Sequence, residues 1–122
     1  MYQVSIQTSF AAAHFLRNYK GKCENLHGHN WKVEVTVSKK TLDNAGMAID
    51  FSLLKQKTNK IVDKFDHTHL NEIPLFEKTN PSSENIAACI FNLLEKELKG
   101  TTVTPVSVSV WESENSWATY IP

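Results

Sequence analysis

The chain has almost no arginine: Arg17 is the single example, and every other basic side chain is a lysine. It also lacks an excess of either charge, with 13 basic and 13 acidic residues. That balance removes the electrostatic footprint expected of a nucleic-acid or anionic-membrane binder. Scattered lysines then read as a solvated surface. No apolar run is long enough to span a bilayer. The N-terminus has no basic stretch followed by an apolar run, so no signal peptide is expected. Cysteine is scarce as well, with only Cys23 and Cys89. Cys89 falls inside an apolar helical pattern and reads as a small core residue. Cys23 lies in a polar stretch beside Lys22 and Glu24. Two such unlike thiols do not make a disulfide framework. A cytoplasmic chain with Cys23 free is expected. Repeats, low-complexity tracts and linkers are all missing. The 122 residues therefore suit one domain, 1–122, with a real but modest core.

What is present is a clear periodicity. Tyr2, Val4, Ile6 and Phe10 alternate with polar residues, the pattern of a half-buried strand. Residues 11–26 read as a connection, with a turn at Gly21. Trp31, Val33, Val35 and Val37 alternate with Lys32, Glu34 and Thr36 in a second strand. Asp43 to Gly46 signals a turn. Asp50 then caps a helix in which Phe51, Leu54, Ile61, Val62 and Phe65 recur at helical spacing. Asp66 to Pro81 reads as a loop. A second helix starts near Ser82 or Ser83, buries Ile86, Ile90, Leu93 and Leu94 with Phe91 or Leu98, and ends at Gly100. Val106, Val108 and Val110 mark a third strand, Glu114 to Ser116 a hairpin turn, and Trp117 to Ile121 a fourth strand. The order β-β-α-α-β-β predicts an α+β layer, a four-stranded antiparallel sheet with both helices on one face. Such a sheet has two open edges, and pairing them between subunits is one way to protect them.

The histidines carry the chemistry. The chain has five, and three of them gather near one thiol: His14, His27 and His29, with Cys23 four residues before His27. Residues i and i+2 of a strand share a face. His27 and His29 share parity with Trp31, Val33, Val35 and Val37, and His14 shares parity with Val4, Ile6 and Phe10. If the two strands pair without a bulge at Ala11-Ala12-Ala13, the three imidazoles meet on one face at one end of the sheet. A lone histidine is more often a satisfied core or surface side chain. Three nitrogen ligands plus an open position are the pattern of catalytic zinc.

Other residues cluster around that pattern. Glu112 extends the Val106-Val108-Val110 face. A carboxylate there either frays into water or accepts two adjacent N–H donors of a ligand in bidentate fashion. Asp66 and His67 follow the first helix and form a carboxylate–imidazole pair or a polar helix exit, with His69 as a competing imidazole. Cys23 can act as a base or nucleophile where a cation or metal lowers its pKa.

These segments together resemble the pyruvoyl-tetrahydropterin synthase family, in particular its bacterial 6-carboxy-tetrahydropterin synthase branch, which serves queuosine and other 7-deazaguanine compounds. Phe10-Ala11-Ala12-Ala13-His14 is similar to the family's first zinc-ligand motif. Cys23-Glu24-Asn25-Leu26-His27-Gly28-His29-Asn30 is similar to its catalytic cysteine followed by the other two ligands. Phe65-Asp66-His67 and Leu70-Asn71 resemble the acid–histidine segment, and Asn80-Pro81-Ser82-Ser83-Glu84 the start of the second helix. Val110-Trp111-Glu112-Ser113 resembles the strand with the pterin-anchoring glutamate.

The resemblance implies the tunnelling fold, in which trimers close a barrel and stack as hexamers, with active sites between subunits. It implies Zn2+ on His14, His27 and His29, with Cys23, Asp66 and His67 catalytic. It implies Glu112 on the pterin, and Ser82, Ser83 and Glu84 serving a neighbour's pterin. The implied reaction is a carbon–carbon lyase step on 7,8-dihydroneopterin triphosphate, giving 6-carboxy-5,6,7,8-tetrahydropterin, acetaldehyde and triphosphate. Arg17, Lys20 and Lys22 are weak candidates for the triphosphate. The nearest alternative is the 6-pyruvoyl product. A zinc-bearing pterin-binding protein without turnover is the alternative from another class, and it leaves the thiol unexplained. A Cys-His-Asp hydrolase leaves the histidine trio unexplained.

Overall fold

A computed structural model describes residues 1–122. Seven regular elements succeed one another: β1 (Tyr2–His14), β2 (His27–Lys39), α1 (Phe51–Val62), β3 (Thr68–His69), α2 (Ser83–Glu97), β4 (Thr104–Ser113) and β5 (Ser116–Tyr120). The sheet order is β3-β1-β2-β4-β5, and the two helices cover one face. The α+β architecture expected from the sequence is therefore present, with one addition. A two-residue strand, β3, pairs parallel to β1 at Ala12 and Ala13, making the sheet five-stranded. It lies within the stretch that reads as a loop, too short to leave a periodic signal.

β1 and β2 pair without interruption from Tyr2 opposite Lys39 to His14 opposite His27. Strand β1 thus runs through Ala11-Ala12-Ala13, and the connection shrinks to residues 15–26. Alanine is a weak strand former, but Ala11 is held on both sides. Its N–H donates to Asp66 Oδ1 at 2.9 Å, and its carbonyl accepts from the His67 N–H at 2.6 Å.

The covered face carries Ile6, Phe10 and Ala12 of β1, Trp31, Val33, Val35 and Val37 of β2 and Val108 and Val110 of β4, packed on Leu54, Ile61 and Val62 of α1 and Ile86, Ile90, Phe91 and Leu94 of α2. The other face is polar, with Ser5 bonded to Thr36, Gln7 to Glu34 and Ser109 to Thr119 across strands. Helix α1 starts at its Asp50 cap, which accepts from the Ser52 N–H. Phe51 fits the apolar spacing but is exposed in the first turn of the helix. Phe65 is fully buried although the helix stops at Val62. Helix α2 is N-capped by Ser82, and Gly100 takes the positive φ of 88° just beyond its end. Strand β4 carries two register shifts. Val106 is the extra residue of a bulge against β2, which leaves it half-buried. Glu112 is the extra residue of a bulge against β5.

Candidate metal centre and active site

The paired ends of β1 and β2 place His14 opposite His27, and His29 lies one same-face step along. The register therefore brings the three imidazoles together. His14 Nδ1 lies 2.8 Å from the Pro81 carbonyl, and His27 Nδ1 lies 2.8 Å from the Asn25 carbonyl. A carbonyl oxygen can only accept, so both Nδ1 atoms carry the proton. In neutral rings the two Nε2 atoms then present lone pairs, and they face each other at 3.0 Å. Lone pairs at that range repel unless a cation stands between them. Nitrogens bound at about 2.0–2.1 Å to a tetrahedral zinc lie roughly 3.3 Å apart, close to the separation found here.

His29 supports the same reading. Its Nε2 is buried and has no hydrogen-bond partner. Glu112 Oε1 lies 3.0 Å away, within reach of charge attraction but outside hydrogen-bonding geometry. Burial is the main influence on His29 and pushes its pKa below the ordinary imidazole value; the Glu112 charge opposes it, while His14 and His27 add to it. Neutral imidazole is the form that ligates metal. Trp31 packs edge-on against His14 and His29, walling the trio off from the core. His14, His27, His29 and Glu112 offer ligand atoms that all lie within 4.8 Å of one another. Three imidazoles and a carboxylate form a donor set suited to zinc.

Glu112 reaches the trio because it continues the helix-facing parity of Val108 and Val110 along β4. Its Oε1 lies 3.3 Å from His14 Nε2 and 4.0 Å from His27 Nε2. The carboxylate is half-exposed, so one side touches the imidazoles while the other is open to a ligand.

Asp66 and His67 do meet: Asp66 Oδ2 lies 3.0 Å from His67 Nδ1. Asp66 is held below the usual carboxylate range, first by the Ala11 N–H and then by His67. His67 has a left-handed φ of 57°, which is costly for a residue other than glycine. Its backbone bond to Ala11 holds it there, and its ring projects into solvent at the sheet edge. His69, the competing imidazole, turns elsewhere. Its Nδ1 lies 3.3 Å from Glu72, and its ring packs on Phe15. A shallow groove lined by Ala11, Ala13, Gly28, Asn30 and His67 runs over the end of the sheet on the face opposite the trio.

Cys23 lies exposed in the 15–26 connection, which turns left-handed at Asn18, Lys20 and Gly21. The connection is closed on itself where Leu16 exchanges backbone and side-chain bonds with Glu24, and it is tied to the trio where the Asn25 carbonyl holds His27. Ser82 caps α2 by accepting from the Asn85 N–H at 3.2 Å, with Ser83 and Glu84 in the first turn beside it. Arg17 is committed to the protein itself: its guanidinium donates to the carbonyls of Phe76 and Asn71. Lys20 and Lys22 are exposed. Asn25, Asn71 and Asn80, whose amide and carbonyl groups hold this region together, fall inside the segments that carry the resemblance, but hydrophobic periodicity gives them no role.

The 6-pyruvoyl tetrahydropterin synthase profile matches residues 3–122, so the chain belongs to the 6-pyruvoyl tetrahydropterin synthase family. Among its relatives, an Archaeoglobus fulgidus protein provisionally named 6-carboxy-5,6,7,8-tetrahydropterin synthase is 47% identical over 115 residues, covering 94% of this chain and 91% of that one. The 6-carboxy-5,6,7,8-tetrahydropterin synthase of Haemophilus influenzae is 33% identical over 142 residues, covering 98% and 99%. The solved structure of Caenorhabditis elegans 6-pyruvoyl tetrahydropterin synthase superposes with a TM-score of 0.86 at 27% identity, covering 99% of this chain and 95% of that one. The fold is thus the tunnelling fold of this family.

Proposed function

We propose that the protein is a Zn2+-dependent carbon–carbon lyase. It converts 7,8-dihydroneopterin triphosphate to 6-carboxy-5,6,7,8-tetrahydropterin, acetaldehyde and triphosphate, a step toward queuosine and related 7-deazaguanine compounds. The observation that carries the metal reading is the pair of facing Nε2 atoms of His14 and His27, 3.0 Å apart with both Nδ1 protons committed to carbonyls. The carboxy product is supported by the relatives named for it.

His14, His27 and His29 hold the ion, and bound there it supplies Lewis acidity to the hydroxyls of the substrate side chain. Glu112 accepts the amino-pyrimidine edge of the pterin in bidentate fashion. Cys23 removes and returns protons at the side-chain carbons. His67 is the partner acid and base, with Asp66 fixing its Nδ1 proton so that Nε2 is the working atom. Its strained backbone fits that role, because a residue kept at a left-handed φ despite the cost is kept for its side chain.

Ser82, Ser83 and Glu84 lie at the entry of α2 and serve the pterin of a neighbouring subunit in a hexamer, a dimer of trimers. The sheet edges support assembly. β3 covers β1 only at Ala12 and Ala13, and β5 has no strand beyond it. No helix is long and apolar enough to cross a membrane, and a cytoplasmic location is proposed on the enzyme's substrate class.

Incubation with 7,8-dihydroneopterin triphosphate tests the reading. Acetaldehyde, followed with a coupled dehydrogenase, should appear in a one-to-one ratio with the 6-carboxy product. A 6-pyruvoyl product without acetaldehyde would move the protein to the other branch of the family.

A further inference from the structure

We propose that Asn80 is a positioning residue for the metal centre, acting through the Pro81 carbonyl that orients His14. This rests on the zinc reading above. Past His14, strand β1 has no partner, because β2 begins at His27. The backbone of Phe15 and Arg17 would be left unpaired there. Two side-chain amides take the place of the missing strand. Asn71 accepts from the Phe15 N–H and donates to its carbonyl, both at 2.9 Å. Asn80 does the same for Arg17, at 2.8 and 2.9 Å. A primary amide carries a donor and an acceptor side by side, so it can mimic the paired groups of a neighbouring strand.

What distinguishes Asn80 is its place in the chain. The next residue is Pro81, whose carbonyl takes the Nδ1 proton of His14 at 2.8 Å. The Asn80 carbonyl is held in turn by the Asn85 amide, from the first turn of α2, at 2.9 Å. The Asn80–Pro81 unit is therefore anchored to the extension of β1 on one side and to α2 on the other. His14 is only 2% exposed, so its Nδ1 proton depends on a partner supplied by the fold, here the Pro81 carbonyl. Release of Asn80 frees that carbonyl, and with it the tautomer and ring angle of His14. Outer partners of metal-bound histidines act in this way, and their loss typically weakens metal binding by about 10–100-fold.

Zinc affinity by competition with a chromophoric chelator, the visible spectrum of the Co2+-substituted protein and the melting temperature test this together. Asn80→Ala and Asn80→Leu are expected to raise the zinc dissociation constant by about 10–100-fold and to shift the Co2+ bands, with one ion per chain still bound at saturation. Thr58→Val is the control. It removes a buried hydroxyl bonded only to Leu54 within α1, and should lower the melting temperature with zinc affinity unchanged. If the Asn80 variants bind zinc as tightly as wild type, or Thr58→Val weakens binding equally at a matched melting loss, Asn80 is merely structural. Where Asn80→Ala does not fold, Asn85→Ala frees the same peptide from the other side; a loss in the same direction is expected, and wild-type affinity would count against the proposal. A wild-type protein that binds no zinc overturns the metal reading itself, which is a different result from tight binding insensitive to Asn80.

Discussion

His14 and Pro81 are 67 residues apart in sequence, yet a single hydrogen bond between them decides which nitrogen of His14 faces His27 and His29. With Nδ1 given to the carbonyl, Nε2 is turned toward the other two rings. The same logic applies to His27 through Asn25. A centre built this way needs no thiolate. Cys23→Ala should therefore retain about one zinc per chain by elemental analysis while turnover is lost, by on the order of 100-fold or more. Loss of zinc in that variant would make the thiol a ligand and remove it from the acid–base role.

Glu112 touches the trio and faces outward as well, so its two proposed duties can be separated. Glu112→Gln keeps the shape and removes the charge. Pterin affinity should fall by about 1.5–3 kcal/mol, the worth of a charge-assisted bond. Zinc content should stay at one per chain, since the three imidazoles remain. Calorimetric titration with a pterin, run beside metal analysis and a thermal melt, reads all three quantities. Unchanged affinity with a large drop in melting temperature would make the carboxylate structural.

The left-handed backbone of His67 gives an asymmetric expectation. Glycine adopts that conformation freely, whereas alanine bears the same strain as histidine without the ring. His67→Gly should melt above His67→Ala by the equivalent of about 1 kcal/mol. Both should lose turnover by about 100-fold or more. Equal melting temperatures for the two variants would show that the position carries no strain.

Asp66 sets a pH dependence of stability. Its folded pKa is depressed, chiefly by the Ala11 N–H. Its contribution is therefore complete above the unfolded carboxyl value of about 4 and is lost as pH falls through the lower folded value. Asp66→Asn should be less stable than wild type at neutral pH, and the gap should close on acidification below about pH 4. Asp43 and Glu97 are also depressed, but they are common to both proteins and cancel in the difference. Melts across that range check the sign. A gap that stays constant into strong acid would mean the charge of Asp66 plays no part.

The thiols should differ in reactivity. Burial pushes the Cys89 thiol above its ordinary pKa, while Cys23 is exposed. Brief treatment with iodoacetamide should alkylate Cys23 first and abolish turnover in step with that labelling, as peptide mapping would show. Activity that survives full alkylation of Cys23 would remove it from the mechanism.

Local pattern alone determined a good part of this protein. The period of two along Tyr2 to Phe10 and Trp31 to Val37, and the helical spacing after Asp50 and Ser82, are properties of neighbouring residues. They appear in the structure as β1, β2, α1 and α2. Parity placed His14, His27 and His29 on one face because side-chain direction along a strand depends only on position, provided the register holds. Whether it held at Ala11-Ala12-Ala13 was a tertiary matter. Asp66 and His67 occupy the outer backbone groups of Ala11 and keep that weak strand former in the ladder. Which carboxylate each of His67 and His69 reaches was tertiary too, Asp66 for the one and Glu72 for the other. So were the bonds to the Pro81 and Asn25 carbonyls that set the tautomers of His14 and His27. Periodicity is encoded by adjacent residues and survives in the sequence. A hydrogen bond across 67 positions depends on where the folded chain puts a carbonyl, and any residue type can supply one.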